Sequence, residues 1–199
     1  MKFLRVFLIA AAISVLAGGA VASTWNIDPV HSAVGFKIRH FFANVVGEFN
    51  EFEGVIDFDP AHPEKAHVEA TIQITSIDTD NDDRDNHLRS ADFFDAENHP
   101  TMVFRSTKVE RGGEGFKVTG DLTMRGVTKV VTFDMAFMGS GPDGWGGTRA
   151  GFAAEIKLDR KEFGISWNKT LDQGGAVLGD EVAVSLEIEA VLSKEEAGR

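Results

Sequence analysis

Along residues 115–139 apolar and polar side chains alternate with a period of two. Phe116, Val118, Leu122 and Met124 trade places with Lys117, Thr119, Asp121 and Thr123, and then Val131, Phe133, Met135 and Phe137 with Thr132, Asp134 and Ala136. Successive side chains of a strand point to opposite faces, so each run has one apolar and one wet face. Gly126 lies where the chain must reverse. The pattern predicts a long antiparallel hairpin, with Gly120 as a bend or bulge.

The same alternation recurs elsewhere. Trp25 and Ile27 begin a short strand that Asp28-Pro29 ends, and Val34, Phe36 and Ile38 mark the apolar face of residues 31–40. Residues 41–46 break the alternation and predict a helical turn. In residues 47–59 the apolar set Phe49, Phe52, Ile56 and Phe58 changes parity after Phe49, which calls for a bulge near Asn50 and Glu51. Further strands are predicted over residues 67–73, 101–110, 148–159 and 181–192. Residues 76–100 are acidic and read as a connection carrying a short helix over about 81–90, with Thr79 or Asp80 as its cap and aspartates in its first turn. Some eight strands with one apolar face each must form either a two-sheet sandwich or a closed barrel. Sequential hairpin links favour an all-β, eight-stranded antiparallel up-and-down barrel with a short helix in one connection.

Composition bears on what such a barrel encloses. The chain has Phe 16, Trp 3 and Met 5 but Tyr 0. A lumen of phenylalanine and methionine offers no hydroxyl and suits an apolar guest, while the same residues also make a packed core, and eight strands permit either. The apolar parity of the strands, with the segment that follows residue 159, nominates as lumen residues Phe36, Ile38, Phe49, Phe52, Ile72, Phe104, Leu122, Met124, Phe133, Met135, Phe152, Ile156, Phe163, Trp167 and Leu186. Arg84, His87 and Arg89 on the acidic connection, with Arg160 just past a strand, are either ordinary ion-pair partners or a polar mouth that orients a headgroup.

Residues 1–22 stand apart from this pattern. Lys2 and Arg5 precede an apolar run too short for the ~20 residues a membrane span needs, and Ala20-Val21-Ala22 supplies a cleavage site before Ser23. A cleaved signal peptide and one periplasmic domain over 23–199 are expected. Removing Lys2 and Arg5 from the 20 basic residues leaves 18 against 31 acidic ones, a formal charge of −13 where the whole chain carries −11. Such a charge repels nucleic acid and anionic membrane surfaces, and no stable membrane insertion is expected. With Cys 0 the fold holds together without disulfides.

Recognisable catalytic chemistry is missing from the sequence. There is no GxSxG elbow, no HExxH and no glycine-rich phosphate loop. Asp78, Asp80 and Asp82 have calcium-loop spacing, but Asp83 stands where that loop needs Gly and Arg89 where it needs Glu. Six scattered histidines give no metal pattern, and no cofactor is expected. Asn168-Lys169-Thr170 matches a glycosylation acceptor only weakly.

Taken together, the segments 25–32, 47–54, 77–90, 92–95, 120–129, 160–165 and 179–181 resemble, in order and over nearly the whole chain after residue 22, the YceI-like family of polyisoprenoid-binding proteins. The resemblance implies a lipocalin-like barrel in the periplasm whose lumen holds a prenyl chain, that of a polyprenyl phosphate or an isoprenoid quinone. A binding or carrier protein needs only an apolar tunnel and a mouth. An enzyme acting on an apolar or prenylated substrate in the same lumen would need a converging acid, base or metal, and the residues offer no recognisable version of one.

Overall fold

The computed structural model describes residues 22–113, 115–170 and 176–193. Apart from Ala22, the segment expected to be a signal peptide lies outside them.

Among the described residues eleven strands and one α-helix follow one another: β1 Ser23–Ile27, β2 Ala33–His40, β3 Ala43–Phe49, β4 Phe52–Phe58, β5 His67–Gln73, β6 Ile77–Asp78, α1 Asp82–Arg89, β7 Thr101–Gly112, β8 Gly115–Met124, β9 Val127–Pro142, β10 Thr148–Asp159 and β11 Leu178–Leu192. They make eight ribbons, because three ribbons are interrupted. β1 and β2 lie end to end on β11, β4 and β3 continue the sheet beside them, and β5 and β6 pair with β4 and β3. β7 to β10 complete the antiparallel meander, and the β1–β11 pairing closes it into an eight-stranded barrel.

Each interruption has a local cause. At Asp28-Pro29 the proline lacks an N–H, and a 3-10 turn forms in which the Asp28 carboxylate accepts from Val30 N at 3.0 Å. At Asn50 and Glu51 two residues separate the buried Phe49 and Phe52, so both rings turn inward despite their parity, and main-chain bonds to Ser76 and Gln73 hold the neighbouring ribbon through the gap. The third break, a 3-10 turn over Ile74–Ser76, buries Ile74.

Two expectations are corrected nearby. Residues 41–46 are not a helical turn. Phe41 and Phe42 form a two-residue reversal between β2 and β3, with His40 opposite Ala43. Gly120 is not itself a bulge: the irregularity falls across from it, at Thr107 of β7, and Gly120 stays bare because a Cβ there would lie 2.6 Å from the Phe104 ring. The hairpin around Gly126 turns through Arg125 and Gly126, both with positive φ, and Met124 faces Val127.

The barrel ends differ. Around the β7–β8 and β9–β10 turns the interior is filled: the Phe58 ring lies 4.9 Å from Phe116, 5.2 Å from Phe137 and 5.5 Å from Phe152, and Val118 is wholly buried. At the other end α1, residues 90–100 and residues 160–167 fold across the strands. Asn81, rather than Thr79 or Asp80, caps α1 by accepting from Arg84 N at 2.9 Å, and Asp80 takes up a left-handed conformation. Phe93 is buried against His87 and Trp167, with ring centroids 5.0 and 5.2 Å away. Arg125 joins the β8–β9 turn to both capping loops by donating to the carbonyls of Ala91 and Gly164.

Candidate functional site

Between the filled end and the cap lies a cavity of about 380 Å³. One wall shows how it is built. Phe36 lies opposite Val184 and Val184 opposite Ile156; one rung nearer the cap, Ile38 lies opposite Val182 and Val182 opposite Leu158. All six face inward, yet all are only half-buried. In a closed barrel, inward side chains that still meet solvent are lining a space that no side chain fills. Farther in, Phe104 and Phe133, with centroids 5.6 Å apart, and Phe152 form the approach to the aromatic floor.

Of the fifteen residues nominated for the lumen, fourteen line this cavity: Phe36, Ile38, Phe49, Phe52, Ile72, Phe104, Leu122, Met124, Phe133, Met135, Phe152, Ile156, Trp167 and Leu186. Phe163 does not. It sits in the 3-10 turn after β10 and is 1% exposed within the core of the cap, because the turn carries its ring away from the strand's inner face. Val45, Leu88, Phe94, Val131, Leu158 and Val182 also line the space. Leu158 and Val182 continue the alternation of β10 and β11. Phe94 and Leu88 belong to the cap, where no strand period could have nominated them.

Among the described residues the polar ones that touch the cavity are His40, Arg84, His87 and Arg160, and all four belong to the capped end. Arg84 is positioned by Thr79: its Nε donates to Thr79 Oγ1 at 2.7 Å and its Nη2 to Thr79 O. Thr79 Oγ1 in turn donates to the buried carboxylate of Asp85. His87 Nε2 lies 3.0 Å from Asp92 Oδ2, with the ring edge-on to Phe93 and Trp167.

The two other basic candidates have structural work. Arg89 does not line the cavity; its Nε and Nη2 donate to the carbonyls of Thr75 and Ile77, which fixes α1 to the third ribbon break. Arg160 touches the cavity but is 4% exposed, with Nε donating to Gly179 O at 2.9 Å and Nη1 to Ile165 O and Trp167 O at 2.7 and 2.9 Å. Burial lowers its pKa, and the fields of Asp180 and Asp159 oppose that shift. Asn168, in the weak glycosylation motif, uses its side-chain amide to bond both main-chain groups of Leu178.

A second polar cluster lies away from the lumen. Ligand atoms of Asp28, His31 and Glu189 come within 4.8 Å of one another. Arg149 Nη1 already donates to Asp28 Oδ2 at 2.6 Å and also bonds Glu189, so a guanidinium supplies the positive charge there.

Comparison with known proteins places these features in context. Residues 25–190 match a family model described as the YceI-like domain. The chain is 43% identical over 181 residues to Protein YceI of Escherichia coli O17:K52:H18, covering 89% of this chain and 92% of that one. It resembles the crystal structure of the Campylobacter jejuni YCEI protein at 35% identity and a TM-score of 0.67, over 77% of this chain and 88% of that one. A polyisoprenoid binding domain from Saccharophagus degradans, implicated in plant cell wall breakdown, shares the fold at a TM-score of 0.61 and 13% identity, over 86% and 99% of the two chains.

Proposed function

This chain belongs to the YceI-like family, and from that membership and its apolar lumen we propose that it is a periplasmic binding or carrier protein for a polyisoprenoid. The observation that carries the reading is the distribution of polarity in the cavity: an apolar wall, with the polar residues among those described gathered at one end. That is the layout a lipid needs, a chain in the lumen and a headgroup at the mouth. The polyisoprenoid-binding description of the Saccharophagus degradans domain supports it. A prenyl chain gains about 0.8 kcal/mol per buried CH₂, so each five-carbon unit gives roughly 4 kcal/mol gross. A few units outweigh an association cost of ~4–15 kcal/mol without any strong polar contact.

Arg84 and His87 are the headgroup residues of this proposal. The Arg84 guanidinium at the mouth favours an anionic polyprenyl phosphate over a neutral quinone, since only the former gains a charge-assisted bond. Among the described residues the lining has no hydroxyl or carboxylate side chain, and its histidines lie at the mouth rather than along the chain's path, which supports binding rather than turnover. Export follows from the basic start, short apolar run and Ala20-Val21-Ala22 of the chain, with the mature protein beginning at Ser23.

Mass spectrometry of lipids extracted from the purified protein tests the proposal, followed by titration with prenyl phosphates and quinones of increasing chain length. Affinity is expected to rise with length until the lumen is full. Equal affinity for short and long chains would refute it. Intact mass of the protein from a periplasmic extract tests the start at Ser23.

A further inference from the structure

The turn between β2 and β3 goes against the chemistry such turns prefer. A two-residue reversal with positive φ ordinarily takes Asn, Asp or Gly. Here the residues are Phe41 and Phe42, and Phe41 holds a φ of 49°, in the left-handed region that a bulky side chain enters only at a cost. Phe42 is 102% exposed, and Val46 on the outer face of β3 is 64% exposed. The tip is nonetheless tied down: Phe41 N donates to Val177 O at 2.8 Å, and Arg39 Nη1 donates to Phe41 O at 3.1 Å. Folding therefore presents an aromatic pair to water at a place where neither ring adds to the core.

The position and charge of this tip indicate what it meets. His40 and Val45, on either side of the two rings, line the mouth of the lumen. No acidic residue occurs between Asp28 and Glu48, while Lys37 and Arg39 lie on the hairpin, in a chain whose formal charge is −11. Asp180, the carboxylate whose field reaches Arg39, faces Lys161 at 2.8 Å and Arg160 at 3.4 Å. The other acids of the capped end lie on α1, with Asp82, Asp83 and Asp85 in its first turn, and on the capping loops, with Asp92, Asp95, Glu97 and Glu162, rather than on this hairpin. The hairpin rim is thus apolar at its tip and basic behind it, the arrangement that seats a segment in the headgroup region of a bilayer.

We propose that the Phe41-Phe42 hairpin docks this protein reversibly on a phospholipid surface, with the rings among the acyl chains and Lys37 and Arg39 at the phosphates. Docking in this way turns the lumen mouth toward the membrane that would supply a prenyl chain. Its purpose rests on the lipid-carrying reading, but its test does not. The purified protein is floated with vesicles of phosphatidylethanolamine and a minority of phosphatidylglycerol that contain no prenyl lipid, and the bound fraction is compared with Phe42→Ser and Lys37→Glu. The parent is expected to float with the vesicles. Phe42→Ser should weaken partitioning about tenfold or more, the equivalent of one lost phenylalanine burial. Lys37→Glu should weaken it less, and only on vesicles containing phosphatidylglycerol.

Phe42 touches neither the core nor the cavity, so its variant keeps the fold and its prenyl-phosphate affinity in solution. Failure of the parent to float overturns the inference, as it would if the rings meet a protein instead. Undiminished flotation of Phe42→Ser overturns it too. Flotation by a protein that binds no prenyl lipid would refute the carrier reading and leave the docking inference standing.

Discussion

At the filled end of the barrel Phe58 is 3% exposed and touches three other phenylalanine rings; at the capped end Phe36 faces inward just as directly and stays half-buried. Both belong to alternating strands of the same barrel. What differs is what stands across the lumen. Around Phe58, the strands β4, β8, β9 and β10 all send large aromatics to one level, so the cross-section is filled. Phe36 instead meets the single ring of Phe49, with centroids 5.7 Å apart, and its neighbours across β11 and β10 are Val184 and Ile156, while connections lying over the barrel close this end. Each end thus has a buried core of its own, but only the floor fills the cross-section with side chains from the strands, and the binding space lies between floor and cap.

The largest expected effect follows directly. Phe58→Ala should cost about 3–5 kcal/mol of unfolding free energy, since it removes a fully packed ring and leaves a void. Phe36→Ala, which widens a space already present, should cost no more than about half as much. Urea unfolding of the two variants measures the difference, and equal losses would mean that the capped end is packed as tightly as the floor. Only Phe36→Ala should also weaken prenyl binding.

Adding volume sharpens the same contrast on a single strand. Ala150 and Ala154 both point inward from β10, but Ala150 is 2% exposed while Ala154 lines the cavity. Ala150→Leu should destabilise by about 1–3 kcal/mol through overpacking. Ala154→Leu should change stability by less than about 1 kcal/mol, because its methyl groups enter existing space, and should lower affinity for the longest prenyl chains first. Thermal unfolding and ligand titration on both variants separate these outcomes.

The sequence carried the strands and their inward faces because a period of two is visible in one dimension. Phe49 and Phe52 even announced their bulge through a change of parity. What it could not carry was the difference between the two ends, which depends on which strands bring large rings to the same height. Val184 gives no sign by itself that it faces a space, whereas Val109 is packed into the floor and only 3% exposed. The arginines were legible only as charges. Arg89, Arg125 and Arg160 donate to main-chain carbonyls of loops distant in sequence, and no carboxylate spacing marks such a partner. Phe163 leaves the lumen for a related reason: the period that places Phe152 and Ile156 ends at Asp159, and a 3-10 turn then sets a new direction.

Acid offers the mildest way to separate the ends, since the Arg149 cluster ties together the outside of the barrel while the mouth relies on other groups. Asp28 is held at a pKa of about 2, against an ordinary value of 3.8, first by its bond from Arg149 and then by that from His31. Asp143 is also held low, chiefly by the main-chain N–H groups of Trp145 and Gly147. A carboxylate whose pKa is depressed by folding adds stability that is complete above its unfolded value and disappears as pH falls through its folded one. The Asp28 contribution should therefore be constant above about pH 4 and be lost between there and about pH 2. In Arg149→Met the carboxylates of Asp28 and Glu189 lose their shared cation and repel one another, so the variant should be less stable than the parent at neutral pH. As acid protonates those groups the two stability curves should converge. Urea midpoints measured for both proteins from neutral pH down to about pH 2 follow this directly. A gap that stays constant across that range would show that Arg149 contributes through packing of its side-chain stem instead of through charge.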